Sequence, residues 1–314
     1  MVMLMARLKE FKTIDEQIEI LKDKGLSFND EALAKKILLR ENYFFISGYR
    51  DAFYKSNKDK AFINGATFEE LYALFMFDRN IRNILFKNLL IVENNLKSIF
   101  SYQLSRKYGY KEKDYLKISN FTTEISRRRQ VIDVINKMKR QIRVNAKQHS
   151  ATLHYLTNYG YIPMWILVKV LSFGIISELY TILKYEDKQD IADLYGISVE
   201  DMSIFLPIMA NYRNLCAHED MLYSHRSQRS IPNNIYHEKL HIEKDNEEYL
   251  YGKNDLFSLI IMLKYMLTDD NFRLLIYEFG YEIDLLDGKI SSIPIDKILD
   301  KIGFPKNWRD IRDL

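Results

Sequence analysis

The fold is decided by one uninterrupted stretch, Thr67 to Tyr108: "TFEELYALFMFDRNIRNILFKNLLIVENNLKSIFSYQLSRKY". No glycine or proline interrupts it, and Thr67 and Glu70 have the spacing of a capping box, which satisfies the first backbone N–H groups of a helix. Apolar residues then recur at helical spacing: Leu71, Leu74, Phe75, Ile81, Leu85, Leu89, Val92 and Leu96. The stretch predicts one very long helix, or two nearly continuous ones, ending at Gly109.

Helix signals continue on both sides of this stretch. Towards the N-terminus, Thr13 opens another capping box, and Asn29 or Asp30 can cap a second helix. Towards the C-terminus, Thr122 or Thr123 is a candidate start for a basic helix.

Two further helices are expected in the middle of the chain. Pro163 suits the first turn of an apolar helix running towards Lys184, and Ser198 suits the N-cap of the helix after it. Beyond His225 the pattern becomes a polar loop or a small hairpin, and helical patterns resume at 255–267, 270–278 and 294–302. The sequence predicts an all-α fold, a multi-helix bundle with long central helices.

Composition excludes some classes of function and leaves others open. The 314 residues are 47% hydrophobic, enough to bury a sizeable core. With 46 basic and 43 acidic residues the net charge is only +3, so nucleic-acid binding would need local basic patches. The single cysteine, Cys216, excludes an internal disulfide framework and a thiolate metal cluster.

No segment predicts export or membrane insertion. The N-terminus lacks a long apolar region and a cleavage site, and the most apolar segment is interrupted by Lys169 and is shorter than a bilayer span. We therefore expect a cytoplasmic protein with no membrane partner.

The most unusual short segment is "NYRNLCAHED", Asn211 to Asp220, which contains Arg213, Asn214 and His218 at the end of an apolar helical run. On a helix Asn214 and His218 share a face, whereas Arg213 and His218 diverge by about 140°. They would converge if the helix frays near His218 or if two copies meet in a dimer. Otherwise the segment is simply the solvated end of a helix.

These residue types suit phosphate chemistry. RNA can be cleaved when its 2′-hydroxyl attacks the adjacent phosphate, leaving a cyclic phosphate and a free 5′-hydroxyl. A histidine can exchange the protons near neutrality, since an unperturbed imidazole has a pKa of about 6.5. An arginine can hold the phosphate through its planar fork, and Asn214 could orient a phosphate oxygen or the histidine ring. This chemistry needs no metal and no cofactor.

The segment resembles the R-N-x-x-A-H motif of HEPN-domain ribonucleases. Three further blocks, at 35–54, 68–100 and 163–180, together resemble the bacterial abortive-infection Abi-like family of D/F type, so the likeness spans roughly residues 10 to 226. It implies an all-helical fold with a HEPN-like core and metal-independent RNA cleavage by Arg213, Asn214 and His218. It also implies a homodimer, because HEPN sites are commonly built from two copies. One departure is Lys169, where the family often has glutamate.

Glu93 and several basic residues have two open interpretations. Glu93 could pair with Arg213 and aim its guanidinium, or form an ordinary surface pair with Lys97. Six arginines are candidate RNA contacts, although charged runs on helices are more often solvated faces, and aromatic residues are not interleaved with them at stacking positions. They are Arg79, Arg82, Arg127, Arg128, Arg129 and Arg140.

The function predicted from the sequence is an endoribonuclease of an abortive-infection or toxin–antitoxin type. The alternative is a non-catalytic RNA-binding module that uses the same residues, and a scaffold whose motif only ends a helix is a third interpretation. We expect an RNA substrate and a neutralising partner, either a small RNA or a protein antitoxin. Within one large helical unit, 1–314, we predict an N-terminal helical segment (1–66), the motif-bearing core (67–226) and a loop with a C-terminal helical extension (227–314).

Overall fold

Short capped helices precede the long one. In the computed structural model, which describes residues 10–56 and 58–314, these elements are α1 (Ile14–Asp23), α2 (Glu31–Glu41), α3 (Tyr43–Ser47) and a 3-10 helix (Arg50–Phe53). Thr13 and Glu16 form the predicted capping box of α1, and the Asp30 side chain accepts a hydrogen bond from the backbone N–H of Leu33 at the start of α2. Both predicted starts are confirmed.

The uninterrupted stretch from Thr67 to Tyr108 forms one helix, α4 (Phe68–Tyr108), of 41 residues. It is about 60 Å long at a rise of 1.5 Å per residue. The Thr67 hydroxyl accepts from the N–H of Glu70 at 3.2 Å, and the Glu70 carboxylate accepts from the N–H of Thr67 at 3.1 Å. The helix stops before Gly109, whose φ of +89° favours glycine. Of the two predicted alternatives, the single helix is correct.

The middle of the chain continues with helices. They are α5 (Glu112–Tyr115), 3-10 helices at Ile118–Asn120 and Ile125–Arg127, α6 (Arg128–Asn145), α7 (Ser150–Tyr159), α8 (Met164–Val170), α9 (Phe173–Ile182), α10 (Tyr185–Ala192), a 3-10 helix at Asp193–Tyr195 and α11 (Val199–Ala217). The basic helix α6 starts later than predicted, because the residues after Thr123 first form a 3-10 turn. Ser198 caps α11 as predicted, accepting from the N–H of Asp201.

The prediction of one apolar helix from Pro163 towards Lys184 is wrong. The run is divided into α8 and α9 at Leu171 and Ser172, both of which have extended backbones. The Ser172 hydroxyl accepts from the N–H of Ile175 at 3.3 Å and so starts a new helix. Hydrophobicity on both sides of Ser172 hides this N-cap in the sequence.

The C-terminal part contains both a hairpin and helices. Its elements are α12 (Ile235–Lys239), β1 (Lys244–Asp245), β2 (Glu248–Tyr249), α13 (Leu256–Met266), α14 (Asp269–Asp287), α15 (Ile295–Ile302) and a 3-10 helix (Trp308–Arg312). The strands are antiparallel, with Lys244 opposite Tyr249. The small hairpin left open by the sequence is therefore present, and α14 extends beyond its predicted end.

Packing divides the chain into two compact units. The first contains the described residues up to Ile81 together with Phe279–Lys301. Phe53, Phe68 and Leu71 are among the side chains of its core. Its buried Glu70 accepts from the backbone N–H of Ser291 at 2.5 Å and of Ser292 at 2.8 Å, which fixes the loop between α14 and α15 to the start of α4. The segments predicted from the sequence (1–66, 67–226 and 227–314) are defined by the positions of the motif and the loop, not by packing. They stay predictions.

The second unit contains Arg82–Glu278 and Ile302–Leu314. In it α9 packs against both α6 and α11, and α11 also packs against α13. The buried face of α11 includes Phe205, Met209 and Tyr212, which places the helix firmly in the core of this unit. The motif at the end of α11 is thus presented from a rigid support.

The predicted all-α class is confirmed: among the described residues, the regular secondary structure is helical apart from the short hairpin and isolated bridges. None of the helices in residues 10–56 and 58–314 combines the length and apolarity needed to span a bilayer.

Candidate active site at the end of helix α11

Helix α11 divides the motif between its buried and exposed faces. Tyr212 is fully buried and its hydroxyl donates to the backbone carbonyl of Asp255 at 3.1 Å, which ties α11 to the start of α13. Arg213 is partly exposed, and Asn214 and His218 are exposed. Burial of their neighbour therefore holds the three predicted site residues at the surface.

Arg213 is fixed by a buried carboxylate. Its Nε donates to Glu93 Oε2 at 3.1 Å, while the ammonium of Lys97 binds Glu93 Oε1 at 2.7 Å. The Glu93 side chain is only 4% exposed, against 27% for Arg213. Both contacts considered for Glu93 are thus present together, and the pair with Lys97 is buried rather than a surface pair. One buried anion lies between two cations.

This contact determines which part of the guanidinium can reach a ligand. Because Nε is engaged by Glu93, binding of an anion would fall to the two terminal nitrogens, the pair that grips phosphate in a forked geometry. The guanidinium carbon lies 5.6 Å from the ring centroid of Phe86, and Nη1 lies 3.5 Å from Asn214 Oδ1. Arg213 is therefore held in a defined orientation beside Asn214.

His218 lies where the helix stops. α11 ends at Ala217, and His218 is its C-cap, with its backbone N–H donating to the carbonyl of Asn214 at 3.0 Å. Glu219 follows with a φ of +56°, so the chain leaves the helix direction at once. No hydrogen bond joins the side chains of Arg213 and His218 in the described part of one chain. Their convergence, at a frayed end or across a dimer, stays a prediction.

The turn after His218 is anchored from inside. Arg82 is only 3% exposed, and its guanidinium donates to the backbone carbonyl of Asp220 at 3.4 Å. Its predicted role in RNA binding has no support from this buried position, and its hydrogen bond instead supports the motif turn. Arg79, in the first unit, forms two hydrogen bonds with Glu41, at 2.6 and 3.1 Å.

The remaining predicted RNA-binding residues lie on or just before α6. Arg127 is engaged by the carbonyl of Thr181 at 2.7 Å and by Glu124 at 3.0 Å. Arg128, Arg129 and Arg140 are exposed. Within the described residues no carboxylate pairs with these three arginines, so their charges face solvent. Of the six predicted arginines, these three have the most open position.

A polar network behind the motif was not predicted from the sequence. The Asp255 carboxylate accepts from the N–H of Gly252 and of Ser258. Burial nevertheless raises its pKa to about 6, from an ordinary 3.8. His225 packs edge-on against Tyr212, with ring centroids 5.1 Å apart, and burial lowers its pKa. Only the N-cap position of Asp255 before α13 signalled this network in the sequence.

Two further polar residues, His237 and Lys169, have different environments. His237 is buried; its ring accepts from the N–H of Asn234 and contacts the carbonyl of Gly252 at 2.9 Å. Lys169, which departs from the expected glutamate, is exposed on α8. In residues 10–56 and 58–314 no group of three or more histidine, cysteine, aspartate or glutamate side chains could hold a metal ion.

Comparison with known families decides where this chain belongs. The family model described as "Abi-like protein" matches residues 36–224, more than half of the chain, and includes Glu93, Arg213 and His218. The chain belongs to the Abi-like protein family. No curated protein and no solved structure matches it.

Proposed function

We propose that this Abi-like protein is a cytoplasmic, metal-independent endoribonuclease of an abortive-infection system, with a HEPN-like core. The observation that carries the proposal is the Arg213 guanidinium, held by the buried carboxylate of Glu93 beside the exposed Asn214 and His218. A surface helix end needs no buried anion to orient one of its arginines. A site that stabilises a transition state gains from such an anion, because an arginine that is already held in place does not have to be reoriented during the reaction.

The proposed reaction uses the RNA as its own nucleophile. The 2′-oxygen loses its proton and attacks the adjacent phosphorus, and the bond from phosphorus to the 5′-oxygen breaks as that oxygen takes a proton. The products are a 2′,3′-cyclic phosphate and a free 5′-hydroxyl. His218 exchanges protons as general acid or base, Arg213 holds the non-bridging oxygens, and Asn214 orients a phosphate oxygen or the His218 ring.

The arrangement favours a homodimer. Each chain supplies one His218, whereas the reaction needs both a proton acceptor and a proton donor. Within the described part of one chain, the Arg213 side chain contacts Glu93 and Asn214, and no hydrogen bond joins it to His218. A second copy facing the first would supply the missing partner, with the arginine of one chain serving the histidine of the other.

Cleavage assays with matched histidine variants test the function. Wild type, His218→Ala and His241→Asn are incubated in EDTA with total RNA and a labelled loop-rich transcript. His241 is an exposed histidine outside the motif, and asparagine tolerates its φ of +49°. We expect cyclic-phosphate ends from wild type and His241→Asn only. Equal cutting by all three proteins would place the activity in a contaminant or at another site.

The second candidate is a non-catalytic RNA-binding module. Exposed arginines on α6 without carboxylate partners favour it, because such cations suit phosphate binding whether or not cleavage follows. Salt-dependent binding without product, in wild type as in His218→Ala, would support the module and contradict the nuclease. Absence of both binding and cleavage would leave the scaffold interpretation.

A nuclease of this kind needs restraint in an uninfected cell, and we infer a neutralising small RNA or protein antitoxin. Expression of the chain alone from an inducible promoter should arrest growth, and His218→Ala should relieve the arrest. Unimpaired growth with protein that cleaves RNA after purification would contradict the inferred restraint.

A further inference from the structure

An exposed cluster of aromatic rings lies in the second unit, away from the motif in sequence. Tyr110, Tyr155, Tyr159, Tyr161 and Trp165, with Lys111, form what we call the aromatic platform. Neighbouring ring centroids are 5.3 to 6.3 Å apart, in the order Trp165, Tyr110, Tyr161, Tyr159, Tyr155. Tyr159 is 56% exposed and Trp165 is 43% exposed. Large aromatic faces are thus gathered at the surface rather than in the core.

Buried contacts hold the platform in place. The Tyr115 hydroxyl donates to the carbonyl of Ile162 at 2.7 Å, and the N–H of Ile162 donates to the Glu112 carboxylate at 2.9 Å. These bonds fix the short connection between α7 and α8, and with it Tyr161. The Trp165 indole N–H also donates to the Tyr155 hydroxyl at 3.4 Å. The rings are therefore preorganised.

Positive charge lies beside the rings. The Lys111 ammonium lies 4.9 Å from the Tyr161 ring centroid and 5.8 Å from that of Tyr110. A groove of about 260 Å³ begins at the next residues and is lined by Glu112, Lys113, Leu116, Lys139, Ile142 and Arg143. Its apolar floor is bordered by three cations, and its one carboxylate is engaged by the N–H of Ile162.

These cations differ from others on the same elements. Lys117 pairs with Asp114 at 3.1 Å, and Lys137 pairs with Glu178 at 2.8 Å. By contrast, no carboxylate pairs with Lys111, Lys113, Lys139 or Arg143 anywhere in the described chain. Their charge is available to an anionic partner.

We propose that the aromatic platform and the adjoining cationic groove bind single-stranded RNA, with bases stacked on the rings and phosphates held by the groove cations. Every base presents a π-face to an aromatic ring, so this recognition tolerates different sequences, and basic grooves track the backbone. Double-stranded RNA would not offer unstacked bases.

A second copy of this chain is the less suitable occupant. In a two-fold dimer each patch meets the same patch, so Lys111, Lys113 and Arg143 would be brought towards their own counterparts. Like charges across an interface oppose association. The same cations attract a polyphosphate strand.

Tryptophan fluorescence can localise the RNA. The sequence contains two tryptophans, and Trp308 is only 2% exposed, so Trp165 is the one accessible to a base. The probe is 2′-O-methyl oligouridine, which lacks the attacking hydroxyl and separates binding from cleavage. We expect it to quench the emission of the full-length wild type, and the quench to disappear in Trp165→Phe while anisotropy still reports binding.

Affinity measurements with a matched control complete the test. Tyr159→Ala and Trp165→Ala should each weaken binding about tenfold, as expected when one base no longer stacks. Trp165→Phe keeps an aromatic face and should retain most of the affinity. Arg143→Glu should weaken binding and reduce its salt dependence. Tyr185→Ala, at an equally exposed tyrosine outside the platform, should bind as wild type does.

Two results would overturn the inference. One is wild-type affinity in both alanine variants with no quenching of Trp165. The other is a change from dimer to monomer in those variants, measured by sedimentation, with RNA affinity unchanged, which would make the platform an interface between copies. Failure of the proposed nuclease would show as intact RNA without loss of binding, and it is therefore distinguishable from either result.

Discussion

Two cationic regions of the second unit are built in opposite ways. At the end of α11 one arginine, Arg213, is oriented by Glu93, a carboxylate buried beside Lys97. On α6, Arg128, Arg129 and Arg140 are exposed, and no carboxylate pairs with them within the described residues. An oriented guanidinium can stabilise one phosphate in one geometry, whereas solvated arginines attract a polyanion without fixing it. The oriented arginine is therefore suited to catalysis, and the solvated arginines are suited to attracting RNA.

Replacing Arg213 should have the largest effect on cleavage. Arg213→Ala is expected to lower the rate at saturating RNA about 10²- to 10³-fold, the usual loss for one preorganised donor at a transition state. Arg213→Lys should recover little of this, because a lysine keeps the charge but not the planar fork. Single-turnover cleavage measures both. If Arg140→Ala caused an equal loss of rate, the contrast between the two regions would be wrong.

Removing the buried anion should come next. Glu93→Gln leaves Arg213 and Lys97 without their counter-charge and should lower the free energy of unfolding by about 3 kcal/mol. It should also lower kcat more than it raises KM, because Glu93 is buried and holds Arg213 rather than facing solvent. Denaturant unfolding and steady-state cleavage give the two quantities. Glu41→Gln, which breaks the Arg79 pair in the first unit, should leave kcat unchanged.

The network behind the motif predicts a pH dependence of stability. Above pH 6 the Asp255 carboxylate is ionised in both the folded and the unfolded chain, and its burial costs stability. That cost disappears as pH falls through 6 towards 3.8, since the folded chain binds the proton more tightly. Relative to Asp255→Asn, wild type should therefore gain about 2 kcal/mol between pH 7 and pH 4.5. Denaturant unfolding at the two pH values measures the gain, and a relative loss on acidification would contradict it.

The exposed arginines should show the smallest effects. Alanine at Arg128, Arg129 or Arg140 should weaken RNA binding modestly and reduce the slope of log affinity against log salt by about 0.7 for each phosphate that is no longer neutralised. The cleavage rate at saturating RNA should not change. Titrations at several salt concentrations measure the slope. An unchanged slope in all three variants would exclude α6 from the RNA path.

Much of the fold is predictable because its signals are local. Capping boxes at Thr13 and Thr67, N-caps at Asp30 and Ser198 and the stop at Gly109 each act within one helical turn. The break at Ser172 was not predicted, since apolar residues on both sides outweigh a single N-cap signal. The start of α6 and the end of α14 also differ from their predicted positions.

The candidate site could be predicted only in part. Arg213, Asn214 and His218 lie in one short motif, and a pairing of Glu93 with Arg213 was one of two open alternatives for that carboxylate. Burial of Arg82 depends on tertiary packing, which the positions of basic residues in a sequence do not reveal. The aromatic platform is assembled from α7, α8 and the residues after α4, so its rings are adjacent in space but dispersed in sequence.

We propose that RNA is cut by its own 2′-hydroxyl, with His218 exchanging the proton. The most direct test uses a labelled transcript that carries one 2′-deoxynucleotide at a mapped cleavage site, beside the all-ribose transcript, in EDTA. Wild type should cut the all-ribose strand to a cyclic phosphate and a 5′-hydroxyl and leave the deoxy position intact, and His218→Ala should cut neither. Cutting at the deoxy position would exclude attack by the 2′-hydroxyl, and equal cutting by His218→Ala would exclude a role for His218.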